Sequence, residues 1–153
     1  MKDMRRKDRA LSDGEALAVL NKAEYGVLSV VAEDGQPYGV PLSFCVIGDA
    51  IYFHCAAEGR KIGALDKNKT VSFCAVGDTQ VLPEKFGTRY ESAVVAGEVS
   101  EVFGQEKQAG LEGLVRKYSP AFFEQGLTYI ESAGSKTRVF RIAGTSLSGK
   151  ARR

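Results

Sequence analysis

Between residues 25 and 57 the chain reads YGVLSVVAEDGQPYGVPLSFCVIGDAIYFHCAA. β-branched and aromatic residues fill three runs, and Asp34-Gly35 and Gly48-Asp49 interrupt them as two-residue hairpin turn signals. This pattern predicts three antiparallel strands in a meander. It constrains the fold more than any other segment, because strands joined by such short turns must be neighbours in one sheet.

The remainder extends that sheet and adds short helices. Ser12 stands three positions before Glu15, a capping box opening a helix with Ala16, Leu17 and Leu20 on one face. After Gly59, Ile62 and Leu65 lie one turn apart in RKIGALDKN, and KTVSFCAVG then alternates Val71, Phe73 and Ala75 as a strand. A loop holding Pro83 and Gly87 leads into the long strand TRYESAVVAGEVSEV. Leu111, Leu114, Val115 and Tyr118 mark a helix face. Ser119-Pro120 reads as an N-cap and first helical position for a further helix with Phe123, Leu127 and Ile130 inward. KTRVFRIAGTSLSG closes the chain as a last strand. Six or so strands with short helices predict a mainly β fold, an antiparallel sheet closing into a small barrel.

At 153 residues a single domain is expected, and 44% hydrophobic and 26% charged residues are ordinary globular values. The net charge of +2 is slight, and the surplus cations sit at the tips, in MKDMRRKDR and GKARR, which argues against a nucleic-acid partner. No run approaches a membrane span and the N-terminus lacks a signal-peptide core, so no membrane role and a cytoplasmic location are expected. Cys45, Cys55 and Cys74 lie in apolar runs without C-x-x-C spacing and read as buried free thiols rather than metal ligands. Neither the dinucleotide fingerprint nor the phosphate loop of nucleotide hydrolases occurs.

If Gly48-Asp49 is a two-residue turn, Ile47 pairs with Ala50, Phe44 with Phe53, and Ser43 comes opposite His54. Leu42, Phe44, Val46, Ile51, Phe53 and Cys55 then share an apolar face, while Ser43, Cys45, Tyr52 and His54 share the other. The only histidine of the chain thus points away from the core. Arg60 and Lys61 follow Gly59 in the first turn of a helix, where the macrodipole disfavours cations and a glycine cap leaves N–H groups open. An anion such as phosphate would satisfy both, although two solvated surface cations fit the spacing equally well. Tyr90 and Ser92 fall on one face of their strand, with Arg89 and Glu91 on the other. Pro41, inside an apolar strand, belongs at an edge, at a bulge, or beside a bound ligand.

YGVPLSFCV, IYFHCAAEGRKIGAL, VSF and TRYESAVVAGEV, in this order, resemble the pyridoxamine 5'-phosphate oxidase-like FMN-binding split barrels, and within them the nitroimidazole-resistance (nitroimidazole reductase-like) branch. H-x-A-x-x-G-x-K, here His54, Ala56, Gly59 and Lys61, is the most specific part. The resemblance implies a homodimer of split β-barrels with FMN at the subunit interface. It implies that the backbone of Val40, Pro41, Leu42 and Ser43 borders the flavin ring, and that Lys61, helped by Arg60, holds its phosphate. His54, Cys55 and Ala56 would lie near the ring, and Tyr90 and Ser92 would reach the flavin from the neighbouring strand or across the interface. His54 would be the candidate proton donor. The implied activity is reduction of a small acceptor, with nitroaromatics among the candidates and a nicotinamide cofactor or another donor supplying the electrons. A carrier, store or sensor that holds flavin, or haem through His54, is the alternative, and deazaflavin use is an analogy of fold alone. Cys55 stands where a small residue such as glycine is expected, and DKNKTV replaces an Asn-Pro turn. The phosphate-binding pattern of true pyridoxamine phosphate oxidases is not matched, so vitamin B6 oxidation is not expected.

Overall fold

The computed structural model describes residues 3–153; Met1 and Lys2, part of the N-terminal basic cluster, lie outside the described residues. Seven strands form one antiparallel sheet: β1 (Gly26–Val31), β2 (Pro37–Leu42), β3 (Cys45–Ile47), β4 (Ala50–Ala56), β5 (Thr70–Leu82), β6 (Gly87–Val102) and β7 (Thr137–Arg152). Four helices accompany them: α1 (Asp13–Lys22), α2 (Arg60–Lys67), α3 (Gly104–Tyr118) and α4 (Phe123–Ala133). The strand order is β2-β1-β5-β6-β7-β4-β3, so the two edge strands are consecutive in sequence, separated only by Ser43 and Phe44. A sheet whose opposite edges are joined through two residues must curl into a barrel, and no ladder closes the seam. This is a split barrel, as expected.

The core fills the barrel. Phe44, Phe53, Phe73 and Phe140 are fully buried, with Phe44 edge-on to Phe73 and Phe53 stacked on Phe140. α1 closes one end with Ala16, Val19 and Leu20, and its capping box forms as predicted: Glu15 N–H donates to the Ser12 hydroxyl and Ser12 N–H to the Glu15 carboxylate.

Four local readings change. The first hairpin turns through three residues, Glu33 to Gly35, because Ala32 N–H donates to the Gln36 carbonyl and Gly35 N–H to the Ala32 carbonyl. Gly35 takes the left-handed conformation that this arrangement demands. Ser119 makes no side-chain cap; a 3-10 turn over Pro120–Phe122 precedes α4. The run from Pro37 to Ile47 is two strands, so Phe44 and Ser43 are not ladder partners of Phe53 and His54; pairing stops at Cys45–Tyr52. Finally, the face carrying Cys45 and Tyr52 is not open. α3 covers it, and Cys45, Tyr52, Val102, Leu114 and Val139 form a second, smaller core.

Candidate functional site

The seam of the barrel is lined by two free strand edges, and the hydrogen-bond alternation shows which groups they offer. Because Ala32 bonds Gln36, the residues of β1 and β2 that bond each other are Val30 with Tyr38, Leu28 with Val40, and Gly26 with Leu42. Pro37, Gly39 and Pro41 therefore turn their backbone to the seam, which is where the two prolines need no N–H partner. On the other side the two-residue turn at Gly48-Asp49 makes Ile47–Ala50 and Cys45–Tyr52 the bonded pairs. By the same alternation His54 and Ala56 turn their backbone groups toward the seam, beyond the end of β3.

This places the predicted residues unequally. The side chains of Val40 and Leu42 pack against the core, and their backbone faces β1; Cys55 is buried in the core. Pro41 contributes a carbonyl to the seam, and Ser43 lies at its closed end. Gly39, which the sequence reading passed over, is the residue of β2 with both N–H and C=O on the free edge. The alternation Pro37-x-Gly39-x-Pro41 was the signal that could have found it.

At the open end of the seam the chain leaves β4 and enters α2. Gly59 has φ 149°, a region that side-chain-bearing residues rarely adopt, and it provides no cap. The first intrahelical bond runs from Gly63 N–H to the Gly59 carbonyl, which leaves the N–H groups of Arg60, Lys61 and Ile62 without helical partners. Ile62, Ala64 and Leu65 anchor the other side of α2 in the core. Arg138 braces the preceding loop, donating to the Ala57 carbonyl at 3.4 Å while paired with Glu101 at 2.7 Å.

The two cations diverge, as successive residues of a helix must. The Arg60 guanidinium lies 4.2 Å from the centre of the Tyr38 ring, reaching across the seam to β2, beside a cleft of about 340 Å³ that Glu33 and Asp34 also line. Lys61 instead acts on His54 and Cys55. The His54 side chain is exposed by surface area but set into the mouth of a cleft. That partial desolvation, reinforced by the Lys61 charge, lowers its pKa and favours the neutral imidazole. As the register implied, His54 points away from the core. The cleft it enters, about 140 Å³, is formed by Leu111, Leu114 and Val115 of α3 with Tyr129 and Ile130 of α4.

Tyr90 and Ser92 are elsewhere. They pair with Arg152 and Lys150 of β7, whereas His54 pairs with Val139. Ala93, next to Ser92, is in register with Ala75, Gly26 and Leu42, so Ser92 stands three strands from β2, roughly 14 Å at the ordinary strand spacing. One chain does not bring them to the seam. Among the described residues, no cluster of His, Cys, Asp and Glu could hold a metal, and no helix is long and apolar enough to cross a membrane.

Comparison with known proteins follows the same lines. The family model described as pyridoxamine 5'-phosphate oxidase matches residues 12–151. The fold is similar to that of a protein described as a candidate 5-nitroimidazole antibiotic resistance protein from Bacteroides thetaiotaomicron. That match has TM-score 0.79 and 23% identity, covering 92% of this chain and 85% of the other. A FAD-binding protein from Mesorhizobium loti matches with TM-score 0.68 and 26% identity over 95% of this chain and 98% of its own. The flavocytochrome Anf3 from Azotobacter vinelandii matches with TM-score 0.75 and 20% identity over 99% of this chain and 72% of its own. No curated protein sequence matches the chain.

Proposed function

Because the chain belongs to the pyridoxamine 5'-phosphate oxidase family, we propose that it is an FMN-dependent oxidoreductase that reduces a small acceptor, with nitroaromatics among the candidate substrates. The observation that carries this reading is the seam: two free strand edges run to an uncapped helix start with a lysine in its first turn. A flat heteroaromatic ring needs donors and acceptors along its edge, and Gly39 N–H, Pro41 C=O and the His54 and Ala56 backbone offer them. A phosphate needs N–H groups and a cation, and Arg60, Lys61 and Ile62 offer both. Arg60 supplies a second charge if it leaves Tyr38, a contact worth about 0.5–1 kcal/mol at an exposed site.

A bound flavin would supply the hydride or electron transfer itself. The chain's contribution is to orient the ring through backbone groups of β2 and β4 and to exclude water with α2 at the open end. His54, kept neutral by its surroundings, takes up a proton at its imidazole and hands it on in the cleft under α3 and α4. That cleft, at about 140 Å³, is well below the roughly 300 Å³ at which pockets for larger ligands begin, which favours flavin over haem ligated by His54.

A homodimer belongs to this reading. The outer face of the sheet carries Val27, Ser29, Ser72, Cys74, Val94 and Ala96 in cross-strand register, an uncharged surface suited to an isologous contact. Docking of a second copy there is how Tyr90 and Ser92 would reach a flavin held by the other chain. The test is a visible spectrum of the purified protein, as isolated and after addition of FMN and removal of the excess. A bound flavin spectrum bleached by a nicotinamide donor supports the reading. A haem band, or no retained chromophore, overturns it.

A further inference from the structure

We propose a second anion site at the far end of the sheet, where Arg89 and Arg152 receive a phosphate group. These residues line a cleft of about 560 Å³ whose rim carries Lys22, Arg89, Arg152 and Arg153 against only Asp78 and Glu91. The two carboxylates are already occupied. Lys22 pairs with both, at 2.8 Å to Asp78, and Arg153 lies 3.8 Å from Glu91. Glu91, only 8% exposed, also accepts the Asp78 N–H at 3.1 Å.

That leaves two guanidinium groups. Arg89 makes one exposed contact of 3.4 Å to the Gln80 amide oxygen, and Arg152 has no acidic partner among the described residues. The Arg152 side chain reaches Gly87, on the face of β6 that carries Arg89. Its guanidinium lies over the α-carbon of Gly87, in the space that any side chain at position 87 would fill. Glu91 uses the bare α-carbon of Gly77 in the same way. Two glycines thus leave room for a buried carboxylate and for a guanidinium without an acidic partner around one cleft. Two planar five-donor groups match the acceptors of a phosphomonoester or pyrophosphate, and the volume admits a nucleotide.

This inference does not rest on the flavin reading, because it follows from the charges and packing of the cleft. The phosphate has two possible sources, the tail of a flavin held mainly by a second copy, or a separate phosphorylated ligand. The experiment is calorimetric titration of inorganic pyrophosphate, at low ionic strength, into the full chain with and without bound FMN. Wild-type protein should bind saturably, the Arg89→Gln/Arg152→Gln variant about tenfold or more weakly, and Arg116→Gln, an exposed cation elsewhere, like wild type. Binding lost on loading FMN assigns the site to flavin, and binding retained assigns it to a separate ligand; either supports the site. Absence of saturable heat up to about 10 mM, or equal weakening by Arg116→Gln, which would report net charge alone, overturns it. Thermal melts of the variants confirm that they remain folded.

Discussion

The hydroxyl of Tyr118 stands in the rung that Phe44 would otherwise close with the start of β1. It accepts the Phe44 N–H at 3.1 Å and donates to the Glu24 carbonyl at 2.6 Å. In the β1–β2 register, with Gly26 opposite Leu42, Glu24 would come opposite Phe44 as a directly bonded pair. A phenol from α3 replaces that bond and widens the rung. There the chain leaves one edge of the barrel for the other, so Tyr118 fixes the closed end of the seam.

Replacing Tyr118 with Phe leaves the buried Phe44 N–H without its acceptor. The expected cost is about 1–3 kcal/mol in urea unfolding, with an unchanged m-value and faster amide exchange at Phe44. Wild-type stability together with a protected Phe44 amide would mean that the direct rung re-forms and the phenol is dispensable.

This relationship also marks where sequence reading stops. The Gly48-Asp49 turn, the Ser12–Glu15 capping box and the outward parity of His54 depend on residues close in the chain, and all were legible. The break at Ser43–Phe44 was not, because it depends on a side chain 74 residues downstream. The same reason hid the cover that α3 places over Cys45 and Tyr52. Arg60 and Lys61 were found as a pair, but their divergence depends on Tyr38 and His54, which only the folded chain brings to them.

Lys61→Gln should weaken FMN binding by about 10–100-fold, since a charge-assisted contact is worth about 1.5–3 kcal/mol. Arg60→Gln should cost less, because that guanidinium already has the Tyr38 ring. Fluorescence titration of flavin-free protein measures both. Equal affinity of wild type and Lys61→Gln would remove Lys61 from the phosphate site.

The single histidine makes its titration directly readable as one pair of imidazole signals in an NMR spectrum. His54 should titrate below the ordinary value of about 6.5, burial being the larger cause and Lys61 the smaller. Lys61→Gln should therefore raise the pKa only part of the way back. With the folded pKa below the unfolded one, the unfolded chain binds the proton first on acidification. The contribution of His54 to stability is thus complete above about pH 6.5 and is lost as the pH falls through the window below it. His54→Gln should flatten stability against pH in that window, and an unaltered slope would assign it to other groups.

The three thiols test the dimer face. Cys45 lies beneath α3, its thiol donates weakly to the Gly110 carbonyl at 3.7 Å, and burial pushes its pKa up to about 11. Near pH 8 only about one molecule in a thousand then carries the thiolate, so Cys45 should not react with a disulfide reagent. Cys55 is buried in the barrel core, and burial raises its pKa too. Cys74 differs in exposure: it is only half-buried, on the outer face between Val27 and Val94, although burial raises its pKa as well. If a second copy docks on that face, all three thiols stay silent in the native protein and react together on unfolding. Introducing a charge with Val94→Asp should then open the contact, yield a monomer by sedimentation and release one fast-reacting thiol that Cys74→Ser abolishes. A thiol that reacts fast in the wild-type protein and is lost in Cys74→Ser would show the face uncovered, and the second copy would have to be sought on another surface.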